Sequence, residues 1–388
     1  MEKIKYIDDN QQKGILIDWK KVSKRCKELG IPNDVYTPFD LPFTQAKYFV
    51  EMSERSIGKT TNWLLIGMIL NDMYGITIQY VRQILDMIMP KNMDLFRTIL
   101  EYDYIEKITN GHYNSVKYFS RRYYYINTNT GEEATEPFMN CLSIDQAQDL
   151  KSSYNAPLGD LIIFDEFISK YNRPNEFVEF EDLVKTIIRE RESPIVVLLA
   201  NTIDRYNIYF KELEIYDDMQ NIKNNEKRIV KTAMGTVIHI NLIANARHTA
   251  QKEKHNSLFF GFKNEKLNAI RGGEWATNSY PHIPRIDIKP LVTNRYINFN
   301  GKLLRLELIY SDDIGRAVFV HEASQTYDDS IIYTTGEITR KNERYLLGDT
   351  KIDKYIWLLY TRNKFYYSNN MVGEMVNSYV RDCKFLKR

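Results

Sequence analysis

The sequence predicts an α/β fold: a parallel sheet with helices on both faces. Three short apolar runs carry that expectation. The first, Lys47 to Met52, leads into Ser53-Glu54-Arg55-Ser56-Ile57-Gly58-Lys59-Thr60 and then into an apolar helical segment, Thr60 to Tyr74, closed by Gly75. The second, Leu161-Ile162-Ile163-Phe164, ends in two carboxylates, Asp165 and Glu166, and the third, Ile195 to Ala200, ends in Asn201. Apolar runs of this length that alternate with helical segments read as strands buried on both faces. Such sheets place their ligands beyond the carboxyl ends of the strands.

The run from Ser53 to Thr60 fits the pattern G-x-x-x-x-G-K-[ST] at every defined position but the first, where Ser53 replaces glycine. In such a loop, set between a strand and a helix, backbone N–H groups and the helix N-terminus surround phosphates. The expected phosphate-binding residues are Ser53, Arg55, Ser56, Ile57, Gly58, Lys59, Thr60 and Thr61, with Lys59 reaching the β- and γ-phosphates of ATP. Mg2+ demands hard oxygen ligands, and the Thr60 hydroxyl and the Asp165 carboxylate are the expected protein donors. Glu166, a second acid beside the metal-binding one, is the expected base for the attacking water. Asn201, at a strand tip, either touches that water or the γ-phosphate, or simply caps the turn that follows. Gly-Lys-Thr alone is a common tripeptide, and Asp-Glu after an apolar run is commoner still. Their order, each on its expected element, is what makes the pair specific. A further strand, Ile76 to Arg82, lies between the two motifs, as in the ring-forming class of P-loop motors with a catalytic glutamate.

The chain is 388 residues long, enough for two domains with separate cores, and its formal net charge of +2 gives no overall drive toward nucleic acid or membrane. Any polyanion site must come from local clustering. Three cysteines, Cys26, Cys141 and Cys383, stand far apart without C-x-x-C spacing, which argues against a disulfide framework or a zinc site. The first residues carry no apolar core of a signal peptide and no run approaches a membrane span, so a reducing cytoplasm is expected.

Along the chain, Asp18 to Leu29 reads as an amphipathic helix, with Trp19, Val22, Cys26 and Leu29 on one side and Lys20, Lys21, Lys24 and Arg25 on the other. Residues 113 to 140 read as a hairpin turning at Asn129-Thr130-Gly131, where Lys117, Arg121 and Arg122 mix with tyrosines and Phe119. That mixture suits nucleic-acid contact, but aromatic enrichment is also what any strand prefers, and the plain strand is the favoured reading. Phe180 to Arg191 is helical. The domain boundaries expected are 1–245 for the nucleotide-binding domain with its N-terminal helix, 246–284 for a basic linker or lid, and 285–388 for a smaller mixed α/β domain. The last contains strands at Leu303 to Tyr310, Ala317 to His321 and Ser330 to Thr334, and a final helix, Met371 to Phe385, with an apolar stripe.

The order of the phosphate loop, Tyr80-Val81-Arg82, Phe164-Asp165-Glu166-Phe167-Ile168, Arg189-Glu190-Arg191-Glu192 and Asn201 through Tyr209-Phe210 resembles one family. It is similar to the DNA-packaging (encapsidation) ATPases of small protein-primed tailed bacteriophages, relatives of large-terminase subunits. An arginine inside the phosphate loop, here Arg55, is typical of packaging ATPases, and serine in place of the first glycine occurs among terminases. The resemblance covers residues 40 to 245 and thins beyond them. It implies a P-loop ATPase of the catalytic-glutamate (ASCE) type, with ATP and Mg2+ as cofactors, arranged as a homo-oligomer, a pentameric ring. It further implies double-stranded DNA, the portal of a viral procapsid and a structural packaging RNA as partners, with no membrane, in the host cell cytoplasm. Arg189 matches the family's trans-acting arginine finger, with Arg191 as the substitute, and Lys151 resembles a second trans-acting basic group. The plain alternative is that both arginines pair with neighbouring glutamates on a helix surface. The family's C-terminal domain resembles a vestigial ribonuclease-H-like nuclease. Glu307, Asp312-Asp313, Asp328-Asp329, Asp349 and Asp353 form no recognisable two-metal set here.

Overall fold

The computed structural model describes residues 17–31, 46–53, 58–90, 94–153, 161–168, 176–189, 194–201, 207–223, 225–243, 280–281, 289–336, 338–345 and 350–385. The chain divides into two compact units, each with its own sheet. The first is built on nine strands: β1 (Tyr48–Ser53), β2 (Ile78–Arg82), β3 (Ser115–Phe119), β4 (Arg122–Ile126), β5 (Met139–Ser143), β6 (Leu161–Asp165), β7 (Ile195–Asn201), β8 (Glu226–Lys231) and β9 (Val237–Ile243). Their order is β3-β4-β5-β2-β6-β7-β1-β9-β8. The strands from β5 to β9 in that order pair in parallel, while β3, β4 and β8 join antiparallel at the edges. Hydropathy dictates which strands take the middle. β6 and β7 are apolar on both faces until their last residues, and β1 is so apart from Glu51 and Ser53; all three are largely buried, whereas edge strand β8 alternates half-buried with exposed residues.

Helices α1 (Trp19–Glu28), α2 (Lys59–Tyr74), α3 (Arg97–Glu101), α4 (Tyr104–Ile108), α5 (Ala147–Ser153) and α6 (Glu176–Ile188) accompany this sheet; of the short helices that follow β7 in the chain, α7 (Ile208–Glu212) belongs almost wholly to the second unit and α8 (Tyr216–Asn221) to the first. Helix α2 is apolar nearly all round, and an unbroken run from Asn62 to Leu70 is buried, as a helix between layers must be. It lies against the sheet at Phe49, whose ring centroid is 5.6 Å from that of Trp63. Gly67 lets it come close: a Cβ there would stand 2.5 Å from Ile78 Cδ1 and 3.1 Å from Leu161 Cδ2. Helix α1 is capped by Asp18, whose carboxylate accepts from the Lys20 and Lys21 amides. It docks through Val22 and Cys26, and burial pushes the Cys26 thiol up to about 12. Lys20, Lys21 and Lys24 face solvent, but Arg25 turns inward. Its guanidinium donates to the Lys107 and Ile108 carbonyls at the end of α4 and to Asn110 Oδ1.

The hairpin differs from the sequence reading in its turn. β3 and β4 reverse at Ser120-Arg121, both with positive φ, and the Asn127–Gly131 turn is a second reversal beyond β4. Ser-Arg is not a pair that turn chemistry singles out, which is why Asn-Thr-Gly drew the assignment instead. Lys117 pairs with Glu133 at 2.7 Å and Arg121 donates to Gln146 at 2.6 Å, while Tyr125 stacks on Phe138 with centroids 4.2 Å apart. Strands β8 and β9 were not expected from the sequence. The basic stretch beginning at Ala246 lies outside the described residues.

The second unit carries β10 (Lys289–Phe299), β11 (Lys302–Ser311), β12 (Gly315–Glu322), β13 (Ile331–Thr334), β14 (Glu343–Arg344) and β15 (Phe365–Tyr367), ordered β14-β13-β10-β11-β12-β15. β10, β11 and β12 form an antiparallel meander, and β13, β14 and β15 add in parallel. Two helices complete it, α9 (Lys351–Thr361) and α10 (Asn370–Phe385). The stripe of Val372, Met375, Val376, Tyr379, Val380 and Cys383 on α10 is buried. Tyr280 is seated on the bare backbone of Gly373, where a Cβ would collide with its Cγ.

The approach of α2 to the sheet is set by Gly67, so a branched side chain there must push the helix off Ile78 and Leu161. Gly67→Val is expected to lower unfolding free energy by about 1–3 kcal/mol, read from urea denaturation of the intact chain. An unchanged midpoint would mean that the helix has room to spare.

Candidate active site

Strand register puts the polar residues of the site on one face. Ser53 of β1 is paired with Asn201 of β7, Asp165 of β6 with Leu199, and Tyr80 of β2 with Ile163. Side chains two apart share a face, so Ser53, Asn201, Asp165 and Tyr80 all point to the side covered by α2. Apolar side chains fill the strands behind them, and the polar ones come where the strands end.

Gly58 precedes α2 with φ of 85°, a left-handed conformation that glycine takes without strain. Lys59, the first residue of the helix, is buried, and its ammonium donates to Ser53 Oγ and, at 3.3 Å, to Asn201 Oδ1. Burial pushes its pKa down to about 8, against the pull of Asp165, Glu51 and Glu166. Thr60 follows, and its hydroxyl donates to Asp165 Oδ2 at 3.0 Å. The next residue, Thr61, is half-buried in the first turn of α2. Arg55, Ser56 and Ile57 lie outside the described residues.

Asp165 is a crowded carboxylate. Oδ2 accepts from Thr60 and from the Tyr80 hydroxyl at 2.8 Å, and Arg82 Nη1 lies 3.6 Å away. Burial, and then the adjacent Asp165 charge, raise the Tyr80 phenol well above its usual range, so it stays a donor. Glu166 sits just past the end of β6 with φ of 55°, a left-handed conformation rare for its residue type. Its Oε2 accepts from Arg82 Nη2 at 2.5 Å. Burial alone would lower the Arg82 guanidinium, but Tyr80, Asp165 and Glu166 hold it above its ordinary value. Thus Arg82 spans both acids, a role that sequence reasoning did not assign. The sequence offered only the period-2 placement of Tyr80 and Arg82 on one strand face; that β2 lies beside the carboxylates comes from strand pairing. Glu51 was also missed: fully buried in β1, it accepts from Asn241 Nδ2 of β9 at 2.9 Å.

Lys151 and Arg189 stand on the neighbouring helix pair. Lys151 of α5 forms an ion pair with Asp182 of α6 at 2.9 Å. Arg189 follows the last residue of α6 with φ of 53°, its amide closing onto the Lys185 carbonyl at 2.8 Å. Arg191 lies outside the described residues. Among the described residues no group of three or more His, Cys, Asp and Glu side chains could hold a metal ion. The Thr60–Asp165 pair offers the hydroxyl and carboxylate oxygens that suit Mg2+, which takes its remaining ligands from phosphate and water.

This loop, sheet and pair of carboxylates give the first unit a P-loop ATPase-like fold. No family model matches the chain, and no curated protein matches it. Solved structures do. The phi-28 gp11 DNA packaging motor superposes with a TM-score of 0.54 and 16% identity, over 91% of this chain and 99% of that one. A chain of the bacteriophage phi-29 viral genome packaging motor assembly gives a TM-score of 0.54 and 16% identity over 90% and 99%. The N-terminal domain of the DNA packaging ATPase from bacteriophage phi29 is 22% identical over 53% of this chain and 95% of its own, with a TM-score of 0.39. The likeness is one of fold: this chain shares the fold of bacteriophage DNA-packaging motor chains over nearly its whole length.

A buried ammonium with a depressed pKa destabilises the protein that holds it. Lys59→Met is therefore expected to raise stability near pH 7 by roughly 2–3 kcal/mol, measured by urea unfolding without nucleotide. Between the folded value of about 8 and the ordinary 10.5, the unfolded chain keeps the proton that the folded one has lost. Wild-type stability climbs across that window, and the advantage of the variant fades. A variant less stable than wild type at pH 7 would mean that the bonds to Ser53 and Asn201 outweigh the burial cost.

Proposed function

We propose that this chain is the ATP-hydrolysing subunit of a ring motor that drives double-stranded viral DNA into a preformed procapsid. The observation that carries the reading is the convergence of Ser53, Lys59, Thr60, Asp165 and Asn201 at the ends of adjacent parallel strands. The fold shared with packaging-motor chains supports it. In this reading the loop amides, Arg55 and Lys59 hold the phosphates, and Thr60 and Asp165 hold Mg2+. When bound, that ion supplies charge neutralisation on the phosphate oxygens.

Glu166 takes the proton of the attacking water. Turning it toward the nucleotide releases Arg82, whose guanidinium occupies one of its two oxygens. Asn201, already within reach of the Lys59 ammonium, is placed to sense the γ-phosphate. Arg189 reaches the site of a neighbouring subunit, where a guanidinium stabilises charge that develops on the transferring phosphoryl group. Lys151 does the same only after release from Asp182. DNA is gripped through its phosphates, since a packaging motor must ignore sequence.

For the second unit, the meander β10–β12 with β13 and β14 added in parallel supports a ribonuclease-H-like architecture. Its acids argue against a live nuclease. Asp353 of α9 is fully buried, accepts from the Tyr333 hydroxyl at 2.6 Å and faces Arg344 at 3.6 Å. Glu307 lies between Arg305 and His321, at 3.7 and 3.6 Å. A two-metal mechanism needs carboxylates converging on ions roughly 4 Å apart, and these two are each engaged elsewhere. The rival reading is a helicase-type ATPase with the same nucleotide residues and a preference for single strands.

Steady-state ATP hydrolysis, titrated over protein concentration with duplex DNA, single-stranded DNA or neither, tests the proposal. Duplex DNA is expected to stimulate, and specific activity to rise with concentration. Glu166→Gln should bind ATP but lose about 10²- to 10⁴-fold in turnover. Arg189→Ala should lose about 10³-fold or more. Activity that ignores concentration and Arg189, or responds only to single strands, favours the helicase reading.

A further inference from the structure

Gln83 follows the last residue of β2 and is buried, yet it belongs to none of the nucleotide-binding elements. Its amide nitrogen donates to two different parts of the fold, the Phe167 carbonyl and Glu176 Oε1, each at 3.1 Å. A glutamine amide has two N–H donors, so both are spent on these bonds. Phe167 is the residue after Glu166. Glu176 is the first residue of α6, and it is itself buried. The backbone of Gln83 is held too, its carbonyl accepting from the Asp145 amide at 3.3 Å, while Asp145 Oδ2 accepts from the Leu85 amide. A side chain fixed at its base, with its head shared between two elements, transmits displacement from one to the other.

The chain next to Glu166 is where displacement is expected. Glu166 holds a left-handed backbone and its carboxylate rests on Arg82, the residue adjacent to Gln83. The Phe167 amide donates to the Leu199 carbonyl at 3.2 Å, so a backbone turn at Glu166 that carries its carboxylate toward a nucleotide would act on the Phe167 carbonyl that Gln83 holds. At the far end of α6 stands Arg189, and on its side Asp182 holds Lys151.

We infer that Gln83 is a positioning residue that couples the turn carrying Glu166 to helix α6, so that the base and the helix bearing Arg189 move together. The inference rests on the ATPase reading and adds to it a physical link between a subunit's own site and the group it offers its neighbour. Coupling of this sort requires an element with two arrangements that both ends bias, and here that element is the 166–167 turn, either resting on Arg82 or released from it.

Hydrogen exchange of the α6 amides, with and without Mg·ATPγS, tests the link in the full-length protein. In wild type, nucleotide is expected to change their exchange rates by about fivefold or more. Gln83→Met keeps the length of the side chain and removes both donors. It should hold nucleotide affinity within about threefold of wild type, consistent with an intact loop, while the α6 response falls below about twofold. Glu176→Gln keeps an acceptor for Gln83 and should retain the response, whereas Glu176→Leu should lose it. The Glu176 pair reads the same bond should Gln83→Met not fold. A full α6 response in Gln83→Met or in Glu176→Leu overturns the coupling and leaves the ATPase proposal standing. Wild-type protein that binds no nucleotide overturns both.

Discussion

The buried ammonium of Lys59 is the constraint around which the first unit is arranged. Taking a lysine out of water costs several kcal/mol unless polar groups meet it. Here the meeting groups come from three strands: Ser53 from β1, Asn201 from β7 and, electrostatically, Asp165 from β6. They can do so only because β1, β6 and β7 run parallel and end together, and because Gly67 lets α2 settle close against the sheet. The strands themselves tolerate few polar side chains, and two pairs of these are matched across the ladder. Glu51 is met by Asn241, and Gln79 by Asn140. Polarity is thus concentrated at the strand ends, where a phosphate can exchange places with protein groups as the partner of Lys59.

The second unit disposes of its charges differently. Asp353 and Glu307 are buried within their own unit beside arginine, tyrosine or histidine, and among the described residues no group of three or more His, Cys, Asp and Glu could hold a metal ion.

Much of this was legible in the sequence, and for a physical reason. Central parallel strands are continuous apolar runs, and their ends stand out as sudden polarity: Ser53, Asp165-Glu166 and Asn201 each follow such a run. Glycines at positive φ mark the borders of α2 at Gly58 and Gly75. What stayed hidden needed register. Nothing in Tyr80-Val81-Arg82 alone says that β2 lies beside β6, and only that neighbour makes Arg82 a partner of both acids. β8 and β9 escaped because β8 is charged and alternating, and their place beside β1 comes from pairing rather than composition. The Ser120-Arg121 turn escaped because the left-handed pair is held by strands on either side and not by residues that prefer it. Gln83 looked like an ordinary strand exit, since its role depends on two partners distant in sequence.

The two acids at the end of β6 are adjacent in the chain but differ in how freely they can move. The Asp165 side chain is 10% exposed and gathers Thr60, Tyr80 and Arg82 around one oxygen, so displacing it would take the acceptor from the Thr60 and Tyr80 hydroxyls. The Glu166 side chain is 52% exposed, and one of its oxygens meets the Arg82 guanidinium. Releasing it breaks one ion pair whose carboxylate partner faces water, a contact worth on the order of 1 kcal/mol, and Arg82 keeps Asp165 and Tyr80 afterwards. The carboxylate suited to hold a metal is therefore the fixed one, and the carboxylate suited to take a proton is the mobile one. On the ATPase reading proposed above, such a site would keep the oxygens of Asp165 in place while Glu166 rests on Arg82.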